Sequence, residues 1–198
     1  MKLYIKPGAC SLASHIVLHE LGAPHKTVRV DLATKQMDGG GDFFGVNPKG
    51  YVPALEMADG GVLTENVAVL QYLGDRKPEA KLAPRAGTME RYRLDEWLGF
   101  VSSELHKSFT PFFAGWPKDV LAASTQKIEK RLDHVEKSLQ GRDYLTGGDF
   151  TVADAYLYTI LTWAPVAGVD VARWPNVKAY FDRVAARPAV KAAHAAEA

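Results

Sequence analysis

The chain has 198 residues, 47% hydrophobic and 24% charged, which suits one large globular domain or two small ones with enough apolar mass for a core. Its 24 Lys and Arg nearly balance 23 Asp and Glu, a net charge of +1, so nothing points to nucleic acid or an anionic membrane as partner. No apolar run approaches the roughly 18 residues of a membrane span, and a single cysteine excludes an internal disulfide or a cysteine-built metal cluster.

Residues 3–5 read as a short strand and Pro7-Gly8 as a tight turn. Leu12, Ile16 and Leu18 then recur at helical spacing until Gly22 and Pro24 stop the helix. No secretory signal pattern precedes the strand, so the expected location is the cytoplasm. Cys10 falls at or just before the helix N-terminus, where unpaired backbone N–H groups and the helix dipole favour a thiolate. The bland alternative is a small buried filler; the turn-to-helix position tips the balance toward a functional thiol. Ala13 stands where a Cys-x-x-Cys pair has its second sulfur, so an active Cys10 needs an external thiol. Glutathione is the obvious small one in a reducing compartment.

Residues 26–32 alternate as a strand, and residues 33–45 form a polar loop with a short irregular helix near its end. Val52-Pro53 precedes a strand at 54–57. Its peptide bond is either cis, with the Val52 backbone turned toward a peptide ligand, or a plain trans strand opening. Asp59-Gly60-Gly61 reads as a hairpin turn into a strand at 62–63. Thr64-Glu65-Asn66 opens a helix with the apolar stripe Val67, Val69, Leu70 and Leu73. Such a helix start suits a carboxylate ligand, and Glu65 suits a ligand amino group; the commoner use is plain capping.

Everything beyond residue 87 lacks strand alternation. Helices are expected over 88–113, 117–139, 151–166 and 175–186, with at most a short turn in the alanine-rich tail. On the first of these, Gly99, Ser103, His106 and Thr110 share one small, polar face that reads as a cleft wall. Thr151-Val152-Ala153-Asp154 has the layout of a capping box with Asp in place of Glu or Gln, before a charge-free and therefore buried helix. The aromatics Phe109, Phe112, Phe113, Trp116 and Trp163 line either an apolar pocket or the core. His15 and His19, one helical turn apart, suggest a metal pair, but no third ligand has suitable spacing, so no metal is expected.

These motifs resemble glutathione S-transferases. Tyr-x-Lys-Pro-Gly-Ala-Cys-Ser at 4–11, Asn-Pro-Lys-Gly-x-Val-Pro-Ala-Leu at 47–55, Leu-Thr-Glu at 63–65 and Phe-Thr-x-Ala-Asp-Ala-Tyr at 150–156 follow in order. The first, together with Glu-Leu-His-Lys-x-Phe-Thr-Pro at 104–111, is similar to the bacterial beta class. The likeness spans residues 2–190. It implies a thioredoxin-like glutathione-binding domain over 1–79, a linker at 80–86 and an all-helical domain over 87–198. It also implies a homodimer with glutathione bound between the domains, and conjugation to small hydrophobic electrophiles in detoxification. Cys10 would lie at the glutathione sulfur and form a mixed disulfide, with His106 nearby. Val52, ahead of a cis Pro53, would pair with the tripeptide backbone. Glu65 and Asn66 would hold its γ-glutamyl end, Lys35 its glycyl carboxylate, and Ser103 and Glu104 would add contacts, in part across the dimer. Two positions depart from the pattern. Asn66 stands where many members have Ser, and Gly99 stands where close relatives carry an Asn that reaches the partner subunit's glutathione. The rival reading is a non-catalytic protein that binds ligands or partners on the same fold.

Overall fold

The computed structural model describes all residues, Met1–Ala198, and divides into two units: Met1–Leu82 with Arg187–Ala198, and Ala83–Ala186. The first is a thioredoxin-like sheet unit. Its strands β1 (Lys2–Ile5), β2 (Lys26–Arg29), β3 (Ala54–Glu56) and β4 (Val62–Thr64) form one sheet in the order β2-β1-β3-β4. β1 pairs parallel with β2, through the helix α1 (Ser11–Glu20), and antiparallel with β3; β3 and β4 form the expected hairpin. Its turn holds Gly60 at φ +84, with Asp59 Oδ1 accepting from the Gly61 N–H. β2 ends earlier than its alternation suggests, because beyond Arg29 the chain makes only single bridges, Val30 to Met37 and Gln36 to Asp42. The short helix near 42–45 is a 3-10 turn, Phe43–Gly45, capped by Asp42. The helix α2 (Asn66–Asp75) completes this part of the chain.

The alanine-rich tail is a full helix, α8 (Pro188–Glu197), grouped with the sheet unit and not, as the sequence suggests, with the helices before it. Its buried positions Val190, Ala193 and Glu197 are spaced three and four apart, so they form one face. Glu197 accepts from His15 Nδ1 at 2.9 Å, and Arg187 grips Glu20 at both carboxylate oxygens. Small alanines gave no periodic signal for this docking.

The helical unit contains α3 (Met89–Phe100), α4 (Thr110–Phe113), α5 (Lys118–Ser138), α6 (Val152–Leu161) and α7 (Pro175–Ala185). The single helix expected over 88–113 is interrupted: residues Val101–His106 form a π-helix. α6 is buried at all of its residues and carries the expected capping box. Asp154 accepts from the Leu145 and Thr151 N–H groups and from the Thr151 hydroxyl at 2.8–2.9 Å. Full burial pushes its carboxyl up to about 6 against those bonds. No helix is long and apolar enough to cross a membrane.

Candidate functional site

In the sheet unit, chemistry gathers where β1 turns into α1. Pro7-Gly8 reverses the chain, with Gly8 at φ +74 and the Ala9 N–H bonded to the Lys6 carbonyl at 2.9 Å. Buried Ser11 tightens the turn by bonding both the N–H and the carbonyl of Lys6. This delivers half-buried Cys10 as the first residue flanking α1. Its side chain does not cap the helix; Sγ points at the Val52 carbonyl, 3.5 Å away. The Val52–Pro53 bond is cis, which resolves that alternative, and both residues are buried just ahead of β3.

Asn66 ties α2 to the same spot. Its Nδ2 donates to the Cys10 carbonyl at 3.2 Å, and its Oδ1 accepts from the Ser14 hydroxyl at 2.8 Å. Cys10, Val52 and Asn66 are therefore held together by direct bonds. Glu65, next to Asn66, is exposed and adopts φ +68. Its carboxylate pairs with Lys49, which also donates to Thr64 Oγ1 at 2.8 Å. Lys35, at φ +61, donates from Nζ to the Gly50 carbonyl at 2.9 Å. Three residues other than glycine have positive φ, and two of them are Lys35 and Glu65. Backbone strain of this kind, about 1–3 kcal/mol each, collects at ligand sites.

The helical unit places its candidates differently. His106 closes the π-helix, and its Nδ1 lies 2.7 Å from the Tyr156 hydroxyl of α6. The ring packs edge-on to Trp163, centroids 4.9 Å apart. Burial, helped by the Lys107 charge, pushes its imidazole down to about 4, so it is neutral near pH 7. Ser103 is exposed and donates to the Gly99 carbonyl at 2.9 Å, while Glu104 pairs with Arg131 at 2.6 Å. Ser103, Glu104 and His106 thus have separate partners, and the π-helix breaks the shared face expected from α-helical spacing. Among the aromatics, Phe109 and Trp163 are core, whereas Phe113 and Trp116 are 57% and 49% exposed.

Three partners escaped sequence reasoning: Ser14 of Asn66, Lys49 of Glu65, and Tyr156 of His106. Tyr156 lies in the helix that reads as charge-free and buried, and its hydroxyl is the available signal. The expected absence of a third ligand near His15 and His19 is also corrected. Gly22 at φ +58 turns the chain back, and His25 comes to within 4.8 Å of both, ring nitrogen to ring nitrogen.

Residues 8–76 match the family described as glutathione S-transferase, N-terminal domain, and residues 100–188 match glutathione S-transferase, C-terminal domain. The chain is 44% identical to glutathione S-transferase GstA of Escherichia coli O157:H7, covering 100% of this chain and 98% of the relative. It is similar to the bacterial beta class glutathione S-transferase of Sphingomonas chungbukensis, with TM-score 0.96, 48% identity, and 100% and 98% coverage. A sphingomonad glutathione S-transferase complexed with glutathione superposes with TM-score 0.96 at 47% identity, again covering 100% and 98%.

Proposed function

The chain belongs to the glutathione S-transferase family, in its bacterial beta class, and from that premise we propose that the Cys10 cluster binds glutathione and runs two reactions. The protein is a transferase, and glutathione is its co-substrate. The observation that carries the reading is the Cys10 thiol beside the Val52 carbonyl at the opening of α1. As a thiol it donates to the Val52 carbonyl, and as a thiolate it is favoured by the positive end of the α1 dipole. Val52 offers backbone groups to the tripeptide as an added strand would. Asn66 and Glu65 take its γ-glutamyl end, and Lys35 takes a carboxylate. Glu65 and Lys35 already hold protein partners, so ligand binding is an exchange of partners. Ser103 and Glu104 would likewise leave Gly99 and Arg131. His106 takes part as a neutral imidazole, a hydrogen-bonding group and not a cation.

In the first reaction the glutathione thiolate attacks an electrophilic carbon and expels its leaving group. Exposed Phe113 and Trp116 on the helical unit offer apolar surface to a small hydrophobic acceptor. In the second, the Cys10 thiolate attacks a glutathione mixed disulfide, GS–SR, forming Cys10–S–SG and releasing RS⁻. A second glutathione thiolate then attacks that bond, releasing oxidised glutathione and restoring the Cys10 thiolate. The single cysteine and the need for a reduced thiol pool fit the reducing cytoplasm, and membership of the family supports a homodimer that serves detoxification.

A Cys10→Ala variant tests the division. Conjugation of an aryl halide should survive while disulfide reduction falls by roughly 10³-fold or more, the scale of losing a covalent nucleophile. If both activities persist unchanged, the exchange reading fails.

A further inference from the structure

The sheet unit carries a second cluster that glutathione chemistry does not use. His15 and His19 lie on α1, and His25 lies just past the turn that follows it. The three rings stand 4.9, 5.3 and 5.1 Å apart, centroid to centroid, and one ring nitrogen from each lies within 4.8 Å of the others. We propose that these three imidazoles form a binding site for one late first-row divalent cation of the Zn²⁺ type.

Hydrogen bonding fixes the proton on two of the rings. His15 Nδ1 lies 2.9 Å from a Glu197 carboxylate oxygen, and His25 Nδ1 lies 2.8 Å from the Ala23 carbonyl. Both partners only accept, so each Nδ1 carries a proton, and Nε2 is the nitrogen of each ring left to ligate a cation. A carboxylate or backbone carbonyl on the far nitrogen is the support that metal-bound histidines characteristically have. The third ring supplies the missing partner. His19 Nε2 is buried without a hydrogen bond, an unpaid desolvation cost that a cation would remove.

Three nitrogens on one Zn²⁺ at about 2.0–2.1 Å stand roughly 3.4 Å apart. The ion would draw the rings in by about an ångström, which rotation of the half-buried His19 and His25 rings supplies. Three imidazoles leave a fourth position for water, and imidazole donors suit Zn²⁺, Ni²⁺ or Cu²⁺ and not Mg²⁺ or Ca²⁺. The site reaches beyond its ligands. Glu197 Oε1 holds His15 while Oε2 accepts from the Gly8 N–H at 3.3 Å, two residues before Cys10. The ion would therefore brace α8 against α1 and the turn that presents the thiol.

Equilibrium dialysis of the tag-free full chain against Zn²⁺ tests this, in a Cys10→Ser background that removes the competing sulfur. One ion per chain is expected, with a raised melting temperature reversed by a chelator. Substituting Co²⁺ should give the intense visible bands of a tetrahedral nitrogen site. His19→Ala and His25→Ala should each abolish stoichiometric binding, and Glu197→Gln should weaken it about 10- to 100-fold. His25→Gln, with circular dichroism as a check on folding, serves if the alanine variants do not fold. Failure to bind Zn²⁺ at micromolar concentration, or an affinity unchanged by loss of His25, overturns the site and leaves the Cys10 assignment untouched.

Discussion

The two units hold their candidate site residues, Cys10 and His106, by different means. In the sheet unit the bonds that gather at the Cys10 turn run to backbone groups: the Val52 carbonyl for Cys10, the Cys10 carbonyl for Asn66 and, at Lys35, the Gly50 carbonyl; Asn66 and Glu65 add side-chain partners in Ser14 and Lys49. In the helical unit His106 is held by side chains, Tyr156 at its Nδ1 and Trp163 against its ring, on a stretch of π-helix. Backbone anchoring ties a site to turns, which short motifs announce. Side-chain anchoring ties it to packing, which depends on residues distant in the sequence. The first kind leaves Cys10 half-buried; the second desolvates an imidazole until it no longer takes a proton near neutral pH.

That desolvation gives the largest expected effect. The His106 pKa falls from 6.5 to about 4 on folding. The unfolded chain therefore binds a proton that the native protein refuses between those pH values. The associated stability is fully present above pH 6.5 and drains away as the pH falls toward 4. The full span corresponds to about 3 kcal/mol. Denaturant unfolding of the parent and His106→Gln at pH 7.5 and 4.5 measures the difference. The parent should lose about 2–3 kcal/mol more on acidification than the variant. Equal losses would mean that the imidazole is not desolvated, and the contrast between the units would collapse.

Asn66→Ala probes the backbone-held side. It removes the acceptor of the buried Ser14 hydroxyl and the donor to the Cys10 carbonyl. A cost of about 1–3 kcal/mol follows from the stranded hydroxyl. The KM for glutathione should rise together with the loss of stability, because one side chain serves both α2 and the Cys10 turn. Asn66→Ser, which keeps a donor and an acceptor on a shorter reach, should recover part of the KM. A stability loss with KM unchanged would make Asn66 purely structural.

The same contrast explains what could be read in advance. Pro7-Gly8, Val52-Pro53 and Asp59-Gly60-Gly61 act locally, so the turns around Cys10 and the β3–β4 hairpin are legible residue by residue. Thr151 to Asp154 is a four-residue motif, and its capping box forms as written. The π-helix has no such marker: its bonds run one residue longer than the α-helical period, so the face counted through Gly99, Ser103, His106 and Thr110 dissolves. His25 was invisible for a related reason. Its approach to His15 and His19 depends on the chain reversal after α1, which spacing along a helix does not contain. The docking of α8 rests on Glu197 and Arg187, charged residues in a tail that otherwise reads as plain alanine.

A smaller effect isolates the side-chain anchor. Tyr156→Phe keeps the ring and removes only the hydroxyl at His106 Nδ1. Loss of one buried hydrogen bond costs about 1 kcal/mol. If Tyr156 positions the imidazole for the reaction, kcat for aryl halide conjugation should fall about fivefold with the KM for glutathione unchanged, and disulfide exchange should fall less. A matching loss in KM would place Tyr156 in binding instead.

The smallest change asks whether the helical unit lost a contact of its own. Gly99 lies in α3, is exposed, and a Cβ built on it meets nothing within 4 Å. Gly99→Asn should therefore fold without strain and gain about 0.3 kcal/mol, since glycine is a poor helix former. The Gly99 carbonyl, which accepts from Ser102 and Ser103, is unaffected because only the side chain changes. In a homodimer whose partner presents glutathione to this position, the new amide should lower the KM for glutathione about 2- to 10-fold, the worth of one hydrogen bond. The effect should vanish on dilution below the dimer dissociation constant. An unchanged KM in a dimer confirmed by light scattering would show that this helix face does not meet the second subunit's ligand. Glycine there would then reflect the turn into the π-helix and not a contact given up.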